Sequence, residues 1–237
     1  MIRICGVTKR FGALEVLKGM DAEITSGHVT GVVGPNAAGK TTLIKSILGL
    51  TRPDSGTILV NGTRVNGDET YRRHIGYMPQ IARFPSNLTG DELVAMLRDL
   101  RPDVPDVDDD LIGRFSLESE LKKKLNVLSG GTRQKITAVT AFLFRPDILI
   151  LDEPTAGLDP RSSAILKDKI LEERGRGRTF IITSHIMSEL EELADEVIFV
   201  NEGRVRFAGS VNGMMELTSQ SNLERAVAEL MERGVAA

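Results

Sequence analysis

The chain has 237 residues, 41% of them hydrophobic, enough to bury the core of one large domain or of two closely joined subdomains. Lys and Arg number 30 against 33 Asp and Glu, a formal charge of -3, so no global basic field gathers polyanions, which disfavours nucleic acid as the main partner. The first residues lack the apolar segment of a secretory signal, and no run approaches the roughly 20 apolar residues that cross a bilayer, so any membrane spanning is expected of another chain.

Cys5 stands alone, which fits a reducing compartment and predicts a small buried apolar residue in a strand. His28, His74 and His185 are scattered, with no paired Cys or His spacing, so the metal chemistry expected here is Mg²⁺ on a nucleotide rather than a transition-metal site.

Short strands are predicted over residues 2–8, 16–24, 29–33 and 57–60, separated by glycine-containing turns. One strong helix interrupts them. It starts near Gly39 and carries Leu43, Ile44, Ile47 and Leu48 at helical spacing before Gly49 and the turn at 52–56. After a strand at 74–78 the pattern turns helical from about 81 to 144, with amphipathic segments at 91–100 and 132–144 around an acidic, proline-containing loop at 101–110. This stretch reads as a helical insertion. Strands return at 148–151, 180–183 and 197–200, alternating with helices at 161–173 and 187–194, which predicts a parallel sheet covered on both faces. Leu223, Val227, Leu230 and Met231 predict a tail helix at 221–233, packed on the domain or on a partner.

Gly34-Pro35-Asn36-Ala37-Ala38-Gly39-Lys40-Thr41 fits G-x-x-x-x-G-K-[ST] between an apolar strand and a helix, the setting a phosphate-binding loop requires. Small residues let backbone N–H groups converge on phosphate oxygens at the positive end of a helix. Lys40 reaches the β and γ phosphates, Thr41 offers its hydroxyl to Mg²⁺, and Thr42 lies toward the α-phosphate. If position 37 needs a positive φ, its alanine costs about 1 kcal/mol of strain.

The aliphatic strand Ile148-Leu149-Ile150-Leu151 ends in Asp152-Glu153. Alone, such a pair is as often a solvated strand end. Beside a phosphate loop it predicts Asp152 as a holder of Mg²⁺ and Glu153 as the general base for the attacking water, turned away by strand alternation or by the turn that follows. Asp159-Pro160 predicts a helix start with an acidic cap.

Leu128-Ser129-Gly130-Gly131-Thr132, followed by Arg133-Gln134-Lys135 and a helix, resembles the signature loop that distinguishes ABC ATPases from other phosphate-loop proteins. Gln80 after its strand, Ala156-Gly157-Leu158-Asp159, and His185 after residues 180–183 stand around it in the order of that family. The resemblance spans roughly residues 1–210. It implies an α/β phosphate-loop NTPase core of mixed sheet with flanking helices, formed by 1–80 and 145–210 with an N-terminal antiparallel β subdomain. An inserted helical subdomain at 81–144 and a helical tail at 211–237 complete it.

The resemblance further implies two such domains clamping two ATP molecules head to tail, so that Ser129 and the amides of Gly130 and Gly131 face the γ-phosphate held by the opposite subunit. It assigns His185 to the γ-phosphate and Glu153, Gln80 to Mg²⁺, Asp159 to the link between sites, and Phe11 to stacking on adenine, although Phe11 is also read as a core phenylalanine. Lys40, Glu153 and His185 are then the catalytic residues, with ATP and Mg²⁺ bound. Thr132 stands where the signature usually carries Gln, and Ala37 where the loop usually carries Gly.

The implied activity is that of the ATP-hydrolysing subunit of an ABC transporter. Its partners are a second copy or a homologous ATPase subunit and an integral membrane permease, which place it in the cytoplasm at the inner face of the membrane. An ABC ATPase of DNA repair would carry a long coiled coil between Lys40 and Ser129, and no sustained heptads are present. A GTPase would carry Asn-Lys-x-Asp, which is absent. A nucleotide-binding regulatory module with weak hydrolysis is the remaining alternative, against which Glu153 and His185 stand. The short chain, the segment 83–89 and the tail look like ATPases of ABC-2-type exporters. More narrowly, the segments 77–85 and 183–190 are similar to the subgroup serving maturation of the copper site of nitrous oxide reductase.

Overall fold

A computed structural model describes residues 1–65 and 69–235, with side chains described through residue 232. Residues 66–68 of the expected core and the last two of the expected tail therefore lie outside the described residues. In chain order the elements are β1 (Ile2–Phe11), β2 (Leu14–Ile24), β3 (Val29–Val33), α1 (Lys40–Ile47), β4 (Ser55–Val60), β5 (Thr63–Arg64) and β6 (Ile75–Met78). The helical stretch follows as α2 (Gly90–Asp99), α3 (Asp110–Arg114) and α4 (Gly130–Phe142). Then come β7 (Ile148–Asp152), α5 (Pro160–Gly175), β8 (Thr179–Thr183), α6 (Met187–Leu193), β9 (Glu196–Asn201), β10 (Arg204–Ser210), α7 (Val211–Thr218) and α8 (Leu223–Val235).

Two sheets result. The smaller is antiparallel, in the order β2-β1-β4-β5. The larger runs β10-β9-β3-β8-β7-β6, parallel except for the antiparallel edge strand β10, which makes it the mixed sheet expected. Alternation along its central strands sends side chains to two separate cores. Val32, Ile150, Ile181 and Ile198 meet Leu43, Ile44 and Ile47 of α1 and the inward residues Ile2, Ile4, Leu17 and Met20 of the small sheet. Val29, Val33, Leu149, Leu151, Phe180, Ile182 and Phe199 face the opposite way, onto Ile136, Val139 and Phe142 of α4, Leu166 and Ile170 of α5, and Leu223 of α8. Fully burying each such side chain is worth about 1.5–3 kcal/mol, so the sheet is held from both faces.

The same alternation corrects the expectation for Cys5. With Ile2 and Ile4 turned into the core, Cys5 opposite Thr57 faces outward and is exposed. β10 escaped the sequence pattern because it is an edge strand: Val205 and Phe207 are only half-buried between exposed arginines, so no apolar run marks it. The tail is helical as expected, in two pieces, α7 closing on a left-handed Ser219 and α8 packing through Leu223, Ala226 and Val227. No helix among the described residues is long and apolar enough to cross a membrane.

One buried charge ties the helical stretch to the sheet domain. Lys169 on α5 is 1% exposed, and its ammonium lies 2.7 Å from Asp108, 3.2 Å from Glu173 and 3.3 Å from Asp110 at the start of α3. Lys169→Met would leave Asp108 buried with no facing cation and Glu173 with Arg176 alone, and a loss of about 3 kcal/mol or more is expected in guanidinium unfolding. A loss below ~1 kcal/mol would show that the ammonium is not what holds this seam.

Candidate functional site

The loop between β3 and α1 has its shape imposed by close approaches of the backbone. At Gly34, φ +148°, a Cβ would sit 2.0 Å from the carbonyl oxygen of Val200; at Gly39, φ +109°, it would sit 2.9 Å from Leu17 Cδ2. Neither position admits a side chain. Ala37 also takes a left-handed conformation, φ 62°, so the condition for strain at that position is met. Whereas α2, α4, α5 and α7 open on Thr89, Ser129, Asp159 and Ser210 caps, α1 opens on Gly39 with no side-chain cap. Its first amides are left for an anion.

Lys40 begins α1, and its ammonium donates to the carbonyls of Gly34 at 2.6 Å and Pro35 at 3.0 Å. Burial pulls it below the ordinary lysine value, while the charges of Glu153 and Asp152 act in the opposite sense. The phosphate-loop lysine is thus folded onto its own loop and already senses both carboxylates.

The carboxylates come from the carboxyl end of β7, where the parallel register pairs Asp152 with Thr183 on β8. The Thr183 hydroxyl donates to Asp152 Oδ1 at 2.5 Å, and the Glu153 amide donates to Thr183, 3.1 Å from its hydroxyl and 3.1 Å from its carbonyl. Glu153 leaves the strand with φ 53°, so the turn, and not strand alternation, aims its side chain. Held there, it accepts from the His185 amide at 3.2 Å, with His185 Nε2 3.3 Å from its other oxygen. A non-glycine residue in this conformation persists only where its surroundings over-determine it, and such residues cluster at active sites. Glu189 on α6 braces the pair from behind: it accepts from the Thr155 hydroxyl at 2.7 Å and from the Ser184 hydroxyl at 3.5 Å. Neighbouring Tyr77 is pushed up to about 12, first by burial and then by the charge of Asp152, so it adds no negative charge here.

Lys40, Asp152, Glu153 and His185 line one cleft of about 310 Å³ together with Asn36, Ala37, Ala38, Gly39, Thr41, Thr42 and Gln80. Its remaining wall is Leu14 and Val16 of β2, which sequence reading did not single out because nothing but their place on the hairpin marks them. Phe11 stands opposite Leu14 across that hairpin, 53% exposed, so the core-phenylalanine reading is corrected. Thr41, Gln80 and Asp152 present hard oxygen donors to the cleft. Among the described residues no cluster of three or more His, Cys, Asp and Glu side chains suited to a metal exists. That donor set fits Mg²⁺, which takes one or two carboxylate contacts and completes its shell with phosphate and water.

Ser129, Gly130, Gly131 and Asp159 are absent from this wall and form a second assembly. Ser129 caps α4, its hydroxyl accepting from the Thr132 amide at 3.0 Å, and Ser129 and Gly130 are exposed. A Cβ on Gly131 would lie 2.9 Å from the Gly157 carbonyl, so α4 starts directly against the turn that leads into α5. Asp159 caps α5, accepting from Ser162 and, at 3.0 Å, from Lys135 of α4. Hydrogen bonds from the Ser162 hydroxyl and amide, then from Lys135, hold its carboxyl well below the usual range. Lys135 is a partner the motif alone did not reveal.

A mixed sheet whose carboxyl edge gathers a phosphate loop, an Asp-Glu pair and a histidine, with a helix, α4, opening on Leu-Ser-Gly-Gly, defines an ATP-hydrolysing cassette. The family model described as ABC transporter matches residues 17–156. The chain belongs to that family, as an ATP-binding, ATP-hydrolysing subunit. It is 35% identical over 223 residues to Nod factor export ATP-binding protein I of Burkholderia lata, covering 89% of this chain and 71% of the relative. It is 34% identical over 240 residues to daunorubicin resistance ATP-binding protein DrrA3 of Streptomyces coeruleorubidus, covering 99% and 76%. A solved ATP-binding subunit of an ABC transporter superposes with a TM-score of 0.88 at 28% identity over 98% of this chain and 99% of that one. A dimeric ATP-binding cassette bound to ADP and phosphate shares the fold, with a TM-score of 0.79 at 22% identity over 89% and 98%. The narrower likeness to the copper-site subgroup rests on its two short segments alone.

Ala37→Gly would remove left-handed strain of about 1–2 kcal/mol while loosening the unfolded chain by about 0.4–1 kcal/mol. Urea unfolding is therefore expected to show a small net gain, and a clear loss of stability would mean that the alanine is held without strain.

Proposed function

We propose that the subunit works as half of a head-to-tail pair in which each ATP lies between the phosphate loop of one copy and the signature loop of the other, and that closure of the pair drives a separate membrane permease. The observation that carries this reading is the separation of the two assemblies: the phosphate cleft has no wall from Ser129, Gly130 or Gly131, yet those residues open an exposed helix N-terminus of their own. A second chain supplies what one chain keeps apart. Residues 1–80 and 145–210 then form the nucleotide-binding core, 81–144 the arm that presents the signature loop, and 211–237 the tail.

On this reading the incoming triphosphate takes Lys40 away from the Gly34 and Pro35 carbonyls, and the Gly34–Thr42 loop wraps the phosphates. The adenine lies by Leu14 and Val16 with Phe11 over it. Thr41, Gln80 and Asp152 would hold Mg²⁺, which would supply charge neutralisation to the phosphates. Glu153 accepts the proton of the attacking water, while His185, already against that carboxylate, bonds the γ-phosphate and fixes both. Asp159 couples one site to its mate across the interface.

The permease has a fitting dock in the apolar groove of about 530 Å³ between the β6 edge and α2, where Phe84, Pro85, Met96 and Leu100 are joined by Arg83 and Arg101. Leu100 is 72% exposed there. A helical segment of a membrane-spanning subunit fills such a groove, and it would hold this chain at the cytoplasmic face of the membrane.

Glu153→Gln is expected to lower steady-state ATPase by about 10²-fold or more while ATP-dependent dimers accumulate on size-exclusion chromatography. An unchanged rate would remove Glu153 as base, and monomers at saturating ATP would remove the shared site. Met96→Asp is expected to lose the co-purifying permease with ATP-dependent dimerisation intact; retention of the permease would place its dock elsewhere.

A further inference from the structure

We propose that Thr132 is a positioning residue of the composite site: its hydroxyl aims the Ser129 hydroxyl proton at the terminal phosphate bound by the mate. This rests on the head-to-tail reading above and adds to it a residue that stands where the signature usually carries glutamine.

Thr132 Oγ1 lies 2.8 Å from Ser129 Oγ, which also accepts the Thr132 amide at 3.0 Å. A serine hydroxyl has one proton and two acceptor lone pairs. The amide fills one pair. When Thr132 donates its own proton it fills the other, and the single Ser129 proton is then directed away from the helix, toward the exposed space in front of α4. Ser129 and Gly130 are both exposed, and a Cβ on Gly130 would meet no atom within 4 Å. When Ser129 donates to Thr132 instead, that proton is spent inside the turn. An arriving phosphate oxygen selects the first arrangement, and the chain from Thr132 to Ser129 to phosphate is cooperative, each bond polarising the next. Arg133 does not compete for the hydroxyl, because its guanidinium is held on the Leu128 carbonyl at 2.5 Å. Among the described residues Thr132 is thus the side chain bonded to the Ser129 hydroxyl, and helix geometry fixes the two in advance.

The test uses the full chain in a Glu153→Gln background, with the dimer dissociation constant at saturating MgATP read by analytical ultracentrifugation. Thr132→Val keeps the branched shape and the amide but removes the hydroxyl. It is expected to weaken the dimer roughly three- to tenfold, while Thr132→Ser stays within about twofold. Affinity of the monomer for a fluorescent ATP analogue should be the same in all variants, since that cleft is untouched. Adding Thr132→Val to Ser129→Ala should cost nothing further. If Thr132→Val dimerises like its parent while Ser129→Ala does not, the positioning role is overturned and the shared site stands. If the valine weakens the dimer equally with Ser129 already removed, Thr132 acts by another route and the proposal also fails. If Ser129→Ala itself changes nothing, the shared-site reading falls with it.

Discussion

Everything at the cleft depends on the parallel register of β3, β8 and β7. Val32 lies opposite Thr183, and Thr183 opposite Asp152, so the three strands deliver their carboxyl ends side by side. The phosphate loop, the Ser184-His185 turn and the Asp152-Glu153 pair are continuations of those strands, and their spacing is the spacing of the sheet. Two cores press on the sheet from opposite faces, which leaves little room for one strand to slip against another. The hydroxyl of Thr183, bonded to Asp152 and to the Glu153 amide, then carries the register from backbone into side chains.

Much of this was legible beforehand. The glycines, the lysine and the following helix of the loop are forced by backbone approach and charge, so they write themselves into consecutive residues. The same holds for a buried aliphatic strand that ends abruptly in two acids. What stayed hidden has one physical character: it depends on contacts between segments far apart in the chain. Thr183, Glu189, Leu14, Val16 and Lys135 are ordinary residues on their own elements and acquire a role only through what the fold sets against them. β10 was missed because an edge strand with one face in water needs no apolar run. For Cys5 residue type alone predicts burial, whereas strand alternation decides which way a side chain points and turns it outward.

Two non-glycine residues of the cleft take left-handed conformations, and they differ in what holds them. Ala37 sits in a loop shaped by Gly34 and Gly39, where the close passage of Val200 and Leu17 leaves few alternatives. Glu153 is pinned through its own amide by Thr183 and through its carboxylate by the His185 amide. Its orientation therefore reports on the segment after β8, and α6 reaches the same segment through Glu189. Glu189 thereby links α6 to Thr155 and Ser184, which flank the carboxylate and its histidine in the chain.

The ammonium of Lys40, resting on the oxygens of Gly34 and Pro35, makes occupancy of the cleft an exchange rather than a simple addition. A guest must outbid two neutral dipoles for a cation, and only concentrated negative charge does so decisively. On the proposed reading, those two carbonyls are an internal placeholder that a triphosphate displaces from the ammonium before the nucleoside is engaged.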